Sequence, residues 1–192
     1  MKLEKLLTDI TLTPLVPKES GGTIKILKAS AVTDGVIDES LLDCGSFKGN
    51  KDITEYFLKK GDLLFQAKGN KFEALYIDRD YENLVTSQIY FNLHVDKKKV
   101  EPEYLCWYLN SRLAKNHFDA NSSGSVVKAI NKAVLLNLDV ALPESLEKQR
   151  HIAELVREFD GEKKNTQRYL EQKELLINEK IISLLVQDGA DE

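Results

Sequence analysis

With 192 residues the chain can hold one well-buried domain and an appended element, which excludes two full domains. Hydrophobic residues at 42% and charged residues at 30% fit a soluble protein. No apolar run approaches the ~18 residues of a membrane span, and Met1 to Asp9 lacks the apolar core of a signal peptide, so a cytoplasmic protein with no membrane partner is expected.

Leu3 to Leu15 reads as a short helical or mixed opening, closed by Pro14 and Pro17. Gly21-Gly22 leads into a half-buried strand over Thr23 to Ala29, and Asp34-Gly35 is a turn signal before a further extended piece at Val36-Ile37. Cys44 to Lys51 is loop-like. Gly61-Asp62 delivers a short apolar strand, Leu63 to Phe65, into a second loop at Lys68 to Lys71. Ala74 to Ile77 is another strand, and Leu84 to Val95 holds one or two more. Pro102 suits the first turn of a helix over Glu103 to Ser111, in which Leu105, Tyr108 and Leu109 share a face. Trp107 lies one residue off that stripe and reads as a core or interface anchor. Asn121 to Ser125 is a polar loop, Val126 to Leu138 mixes strand and short helix, and Val140 to Pro143 is a final short strand. The order predicts an α+β domain over residues 1–142.

From Pro143 to about Gln187 no proline and only Gly161 interrupts the chain, so a single helix of about 60 Å is expected at ~1.5 Å per residue, with a tail over 188–192. Its apolar stripe runs through Ile152, Val156, Phe159, Leu170, Ile177 and Leu184, broken by Lys163, Thr166, Lys173 and Lys180. Such an imperfect heptad suits one specific antiparallel or bundle partner better than a long parallel zipper. The stripe alone allows either a docking arm or a helix folded back on its own domain.

The net charge of −4 is unevenly spread. From Pro143 onward 8 Lys+Arg stand against 12 Asp+Glu, leaving 19 of each before it. Cys44 to Lys71 and Arg112 to Asn137 are locally basic, which permits a phosphate-binding face as well as a scattered lysine surface. Cys44 and Cys106 lack metal-ligand spacing and read as reduced thiols, and the three histidines show no such spacing either. There is no phosphate loop, no dinucleotide fingerprint and no nucleophile elbow. Acid-x-Lys triplets such as Glu162 to Lys164 fall on the long helix, where the two charges diverge.

Several stretches together resemble the specificity subunit of type I restriction-modification enzymes. They are Ile24 to Ile37, Lys60 to Gly69, Val85 to Gln88, Val100 to Ser111, Gly124 to Val126 and Leu142 to Ile152, in that order. The resemblance implies a DNA target-recognition domain followed by a spacer helix over 143–187. It also implies a full-length subunit of two such units, whose helices pair as an antiparallel coiled coil while each domain reads half of a split DNA site. Methylation and cleavage would belong to separate methyltransferase (M) and restriction (R) subunits. S-adenosylmethionine would bind the methyltransferase, with no cofactor or metal in this chain. The chain has one unit, so it is either a half-subunit forming a homodimer or a fragment of a longer polypeptide.

On that reading double-stranded DNA meets the loops around Lys48, Asn50 and Lys51, around Lys68, Asn70 and Lys71, and around Ser123, Ser125 and Lys128. Lysines would hold phosphates, and Asn50, Asn70, Ser123 and Ser125 would read bases. Gly61-Asp62 is expected to be a structural turn. The stripe Ile152, Val156, Phe159, Leu170, Ile177 and Leu184 would carry helix pairing, and no residue would be catalytic. Two other readings are a dimeric adaptor that binds no DNA and a solitary enzyme.

Overall fold

Strands form where β-branched and large apolar residues run together. The computed structural model describes residues 1–69, 71–124 and 127–188. Its strands are β1 (Leu7–Thr11), β2 (Ile24–Leu27), β3 (Val32–Thr33), β4 (Val36–Ile37), β5 (Asp43–Gly45), β6 (Leu63–Gln66), β7 (Ala74–Tyr76), β8 (Leu84–Thr86) and β9 (Tyr90–Val95). The helices are α1 (Pro102–Asn110), α2 (Arg112–Asn121), α3 (Lys132–Leu136) and α4 (Leu146–Asp188). The fold is α+β, and the chain divides into two compact units, Met1–Arg150 and His151–Glu192.

In the first unit β1-β9-β6-β7 form an antiparallel sheet, and β5-β2-β8 form a second sheet in which β2 runs parallel to β8. The alternation of side chains along a strand explains how β6 joins two layers. Leu64 packs with Leu27 and Leu84 of the smaller sheet. Phe65, its neighbour, faces the other way onto Phe118 of α2, with ring centroids 4.8 Å apart. β3 and β4 form a hairpin whose central residues Asp34 and Gly35 both have positive φ, the geometry of a type I′ turn.

The Gly61-Asp62 turn is structural. Gly61 has φ of +96°, the Asp62 carboxylate accepts from the Lys59 N–H at 2.7 Å, and Ile77 and Asp62 pair through backbone. α2 is absent from the sequence reading because Ser111, which ends α1, also starts α2. Its hydroxyl accepts from the Ala114 N–H, and the signal that stops one helix begins the next. The expected strand at Val140 to Pro143 does not form. Asp139 makes a lone bridge to Lys2 instead, and Val140 exchanges backbone hydrogen bonds with Met1. Trp107 is no core anchor: it is 38% exposed and lies on the surface against Tyr104 and Tyr108.

α4 begins at Leu146, where the Ser145 hydroxyl caps the first turn by accepting from the Lys148 N–H. One turn further, Gln149 is 2% exposed and its side-chain oxygen accepts from the Glu101 N–H at 2.9 Å. That N–H belongs to the residue capping α1, where no turn of helix precedes it to supply a partner. Gln149→Leu leaves that part-buried N–H without its partner. The expected loss is about 1–3 kcal/mol of unfolding free energy, read by urea denaturation of the full chain.

Candidate nucleic-acid interface

Two distant parts of the sequence, around Lys68 and from Ser123 to Ile130, interlock at the end of β6. The Ile130 N–H donates to Ala67 O at 2.8 Å and the Gly69 N–H to Lys128 O at 3.0 Å. Ala129 bridges Lys68 on one side and Ser123 on the other, the latter with reciprocal backbone bonds of 2.8 and 3.0 Å. The result is a short extension of sheet that presents Lys68, Ser123 and Lys128 to solvent. Gly124 closes the return with φ of +104°, and a Cβ there would collide with the Val127 carbonyl oxygen, so only glycine fits.

This extension is tied to the core through a side-chain relay. The Gln66 amide donates to Lys68 O at 3.2 Å, and the Tyr90 hydroxyl, 2% exposed as a residue, donates to the Gln66 side-chain oxygen at 3.5 Å. Burial, and secondarily the Glu73 charge, pushes the Tyr90 phenol up to about 12. Gln66 and Tyr90 escape a reading of the sequence because each looks like an ordinary strand residue. Only pairing β6 with β9 puts them opposite one another.

The second candidate loop is carried by the other sheet. Phe47 packs onto the cluster of Val16, Ile24, Ile26 and Val85, and Gly49 lies against its ring. Asp52 then caps the 3-10 helix Ile53–Tyr56, accepting from the Thr54 hydroxyl at 2.7 Å and its N–H at 2.9 Å. The hydroxyl bond first, and the N–H second, hold the Asp52 carboxyl below the usual carboxylate range. Lys48, Asn50 and Lys51 are exposed between these two anchors.

The structure therefore brings Lys68, Ser123 and Lys128 together and keeps Lys48, Asn50 and Lys51 on a separate loop. Lys71 is exposed beside buried Phe72, and Asn70 and Ser125 lie outside the described residues. Charge pairing engages some lysines of the chain but none of these. The described ion pairs engage Lys2, Lys18, Lys25, Lys28, Lys99 and Lys148 with carboxylates, at 2.5 to 3.0 Å. Lys48, Lys51, Lys68, Lys71 and Lys128 join none of them, so their charge stays available to an anion.

In the second unit the pairing stripe is open to solvent at Phe159, Leu170, Ile177 and Leu184, each more than half exposed, while Ile152 and Val156 are partly covered. Among the described residues no group of three or more His, Cys, Asp or Glu could hold a metal ion, and no helix is long and apolar enough to cross a membrane.

Comparison with known proteins adds an independent line. A family model described as the type I restriction modification DNA specificity domain matches residues 11–174. A putative type I restriction enzyme MjaX specificity subunit of Methanocaldococcus jannaschii is 30% identical over 141 residues, which cover 71% of this chain and 33% of that protein. Two solved structures share the fold. The type I restriction-modification S subunit from M. genitalium has a TM-score of 0.58 at 14% identity, over 86% of this chain and 39% of its own. The HsdS subunit from Thermoanaerobacter tengcongensis has a TM-score of 0.59 at 15% identity, over 88% of this chain and 43% of its own. The chain thus spans about a third of the curated relative and about two fifths of these solved chains.

Proposed function

Because this chain belongs to the type I restriction-modification DNA specificity family, we propose that it recognises a DNA sequence and directs partner methyltransferase and restriction subunits to it, without catalysing a reaction itself. The observation that carries this reading is the exposed pair Lys68 and Lys128, outside the described ion pairs and brought together by the backbone bonds through Ala129 at the end of β6. Lys68 and Lys128 would hold phosphates on one loop cluster, and Lys48, Lys51 and Lys71 would extend the contact. Ser123 and Asn50, with Asn70 and Ser125, offer the donor and acceptor groups that base edges require. S-adenosylmethionine belongs, on this reading, to the methyltransferase partner. The stripe from Ile152 to Leu184 pairs with a second copy of the chain, and two recognition units then read a bipartite site in the cytoplasm.

The test is charge reversal at Lys68 and Lys128 together. Binding of the assembled complex to its target, followed across salt concentrations, is expected to weaken about 10- to 100-fold for Lys68→Glu with Lys128→Glu. The salt slope should fall by about 2, one for each phosphate no longer neutralised. Unchanged affinity and slope would count against these loops as the surface that meets DNA.

A further inference from the structure

The exposed stripe of α4 contains information about how its partner lies, and the inference rests on the pairing with a second copy advanced above. Counting from Ile152, stripe positions alternate by four and three residues without a break as far as Leu184. Val156, Lys163, Leu170, Ile177 and Leu184 then occupy one class of seam position, and Ile152, Phe159, Thr166, Lys173 and Lys180 the other. In an antiparallel pair each layer joins one class to the other. Over the 33 residues from Ile152 to Leu184 the stripe is apolar at Ile152, Val156 and Phe159 towards one end and at Ile177 and Leu184 towards the other, where Lys180 interrupts it, and Lys163, Thr166 and Lys173 lie between.

We propose that two copies of α4 pair antiparallel in the register that sets Phe159 against Ile177 of the second copy. In this register Ile152 meets Leu184, Thr166 meets Leu170, and Val156 meets Lys180. The remaining layer sets Lys163 against Lys173, and the flanking positions there are Asp160 and Glu174, so two cations lie among two carboxylates. Every seam residue from 152 to 184 has a partner, and Phe159 and Ile177, 66% and 51% exposed in the single chain, cover each other.

The competing arrangements are worse for stated reasons. A parallel pair in register would oppose Lys180 to its own copy between Leu176 and Ile181, with no acid at the flanks. An antiparallel pair slipped by one heptad toward the N-terminus puts Phe159 on Leu170 and Lys163 on Thr166, and avoids the paired lysines. It leaves Leu184 and Ile181 without a partner, although both are about half exposed. The charge-balanced layer makes the longer overlap the better one.

Cysteine crosslinking reads the register directly. In a full chain carrying Cys44→Ser and Cys106→Ser, the pair Thr166→Cys with Leu170→Cys is expected to form intermolecular disulfides under mild oxidation. It should do so at least about tenfold faster than Lys163→Cys with Thr166→Cys, which faces itself only in the slipped register. Sedimentation of the reduced proteins reports the dimer separately. Preferential crosslinking of the second pair, or of neither in a protein that sediments as a dimer, overturns the register and leaves the dimer standing. A monomer in sedimentation removes the pairing itself.

Discussion

Phe118→Ala is expected to lower the unfolding free energy by about 3–5 kcal/mol, measured by urea denaturation of the full chain. Phe118 is fully buried, and it is the point at which α2 is held to the larger sheet. Its ring lies 4.8 Å from Phe65 of β6 and 6.3 Å from Phe72, centroid to centroid, with Ala114 one helical turn before it on the same face. Truncation removes this packing at once and leaves a space between a sheet and a helix that are each fixed by other hydrogen bonds, so little collapse is available. Asn110 illustrates the rigidity. Its side chain both accepts from the Ala74 N–H and donates to the Ala74 carbonyl, holding the end of α1 to the edge of β7. The phenylalanine is also next to the candidate interface, because Phe72 follows Lys71 and α2 runs into Ser122 and Ser123. Phe118→Leu keeps most of the volume and should cost well under half as much. A loss below about 1 kcal/mol for the alanine variant would contradict this packing account.

The parts of the fold that local chemistry dictates were legible in the sequence. Alternation at Thr23 to Ala29, the apolar run Leu63 to Phe65 and the Asp34-Gly35 turn all mark elements that the structure contains. The long helix was legible because about forty residues without proline leave no other reading, and Ser145 moved its start by three residues from Pro143. What depended on distant partners was not legible. Met1 binds Val140 and Ala67 binds Ile130 through backbone groups that every residue carries, so side-chain identity gives no warning of either. The same holds for the candidate interface. Charge marked Lys68 and Lys128 separately, and only the bridges through Ala129 make them neighbours. Gln149 was visible as part of a resemblance, but its buried bond to Glu101 was not, since a glutamine on a helix is ordinarily solvated.

Gly45 carries a second large expected effect and shows how the same residue type can mislead. In the sequence it reads as one of the small residues that mark a loop. In the structure it is the last residue of β5, paired with Ile24 on one side and bridged to Lys18 on the other. Its φ is not in the left-handed region, so the requirement is for space. A Cβ would run into the Pro17 carbonyl oxygen and lie 2.9 Å from side-chain carbons of both Ile26 and Val16. Gly22 is the complementary half of the crossing, since its own Cβ position is occupied by the Gly45 carbonyl. Two backbones therefore meet where neither can retreat without opening the β5-β2 pairing that precedes the Lys48 to Lys51 loop. Gly45→Ala is expected to cost about 3 kcal/mol, and Gly45→Val more, by urea denaturation. Gly21→Ala supplies the contrast. Gly21 has φ of +80° but open space within 4 Å of where a Cβ would stand, so its cost is conformational alone, about 1 kcal/mol. Equal losses at the two positions would mean that the backbone crossing can yield to a methyl group.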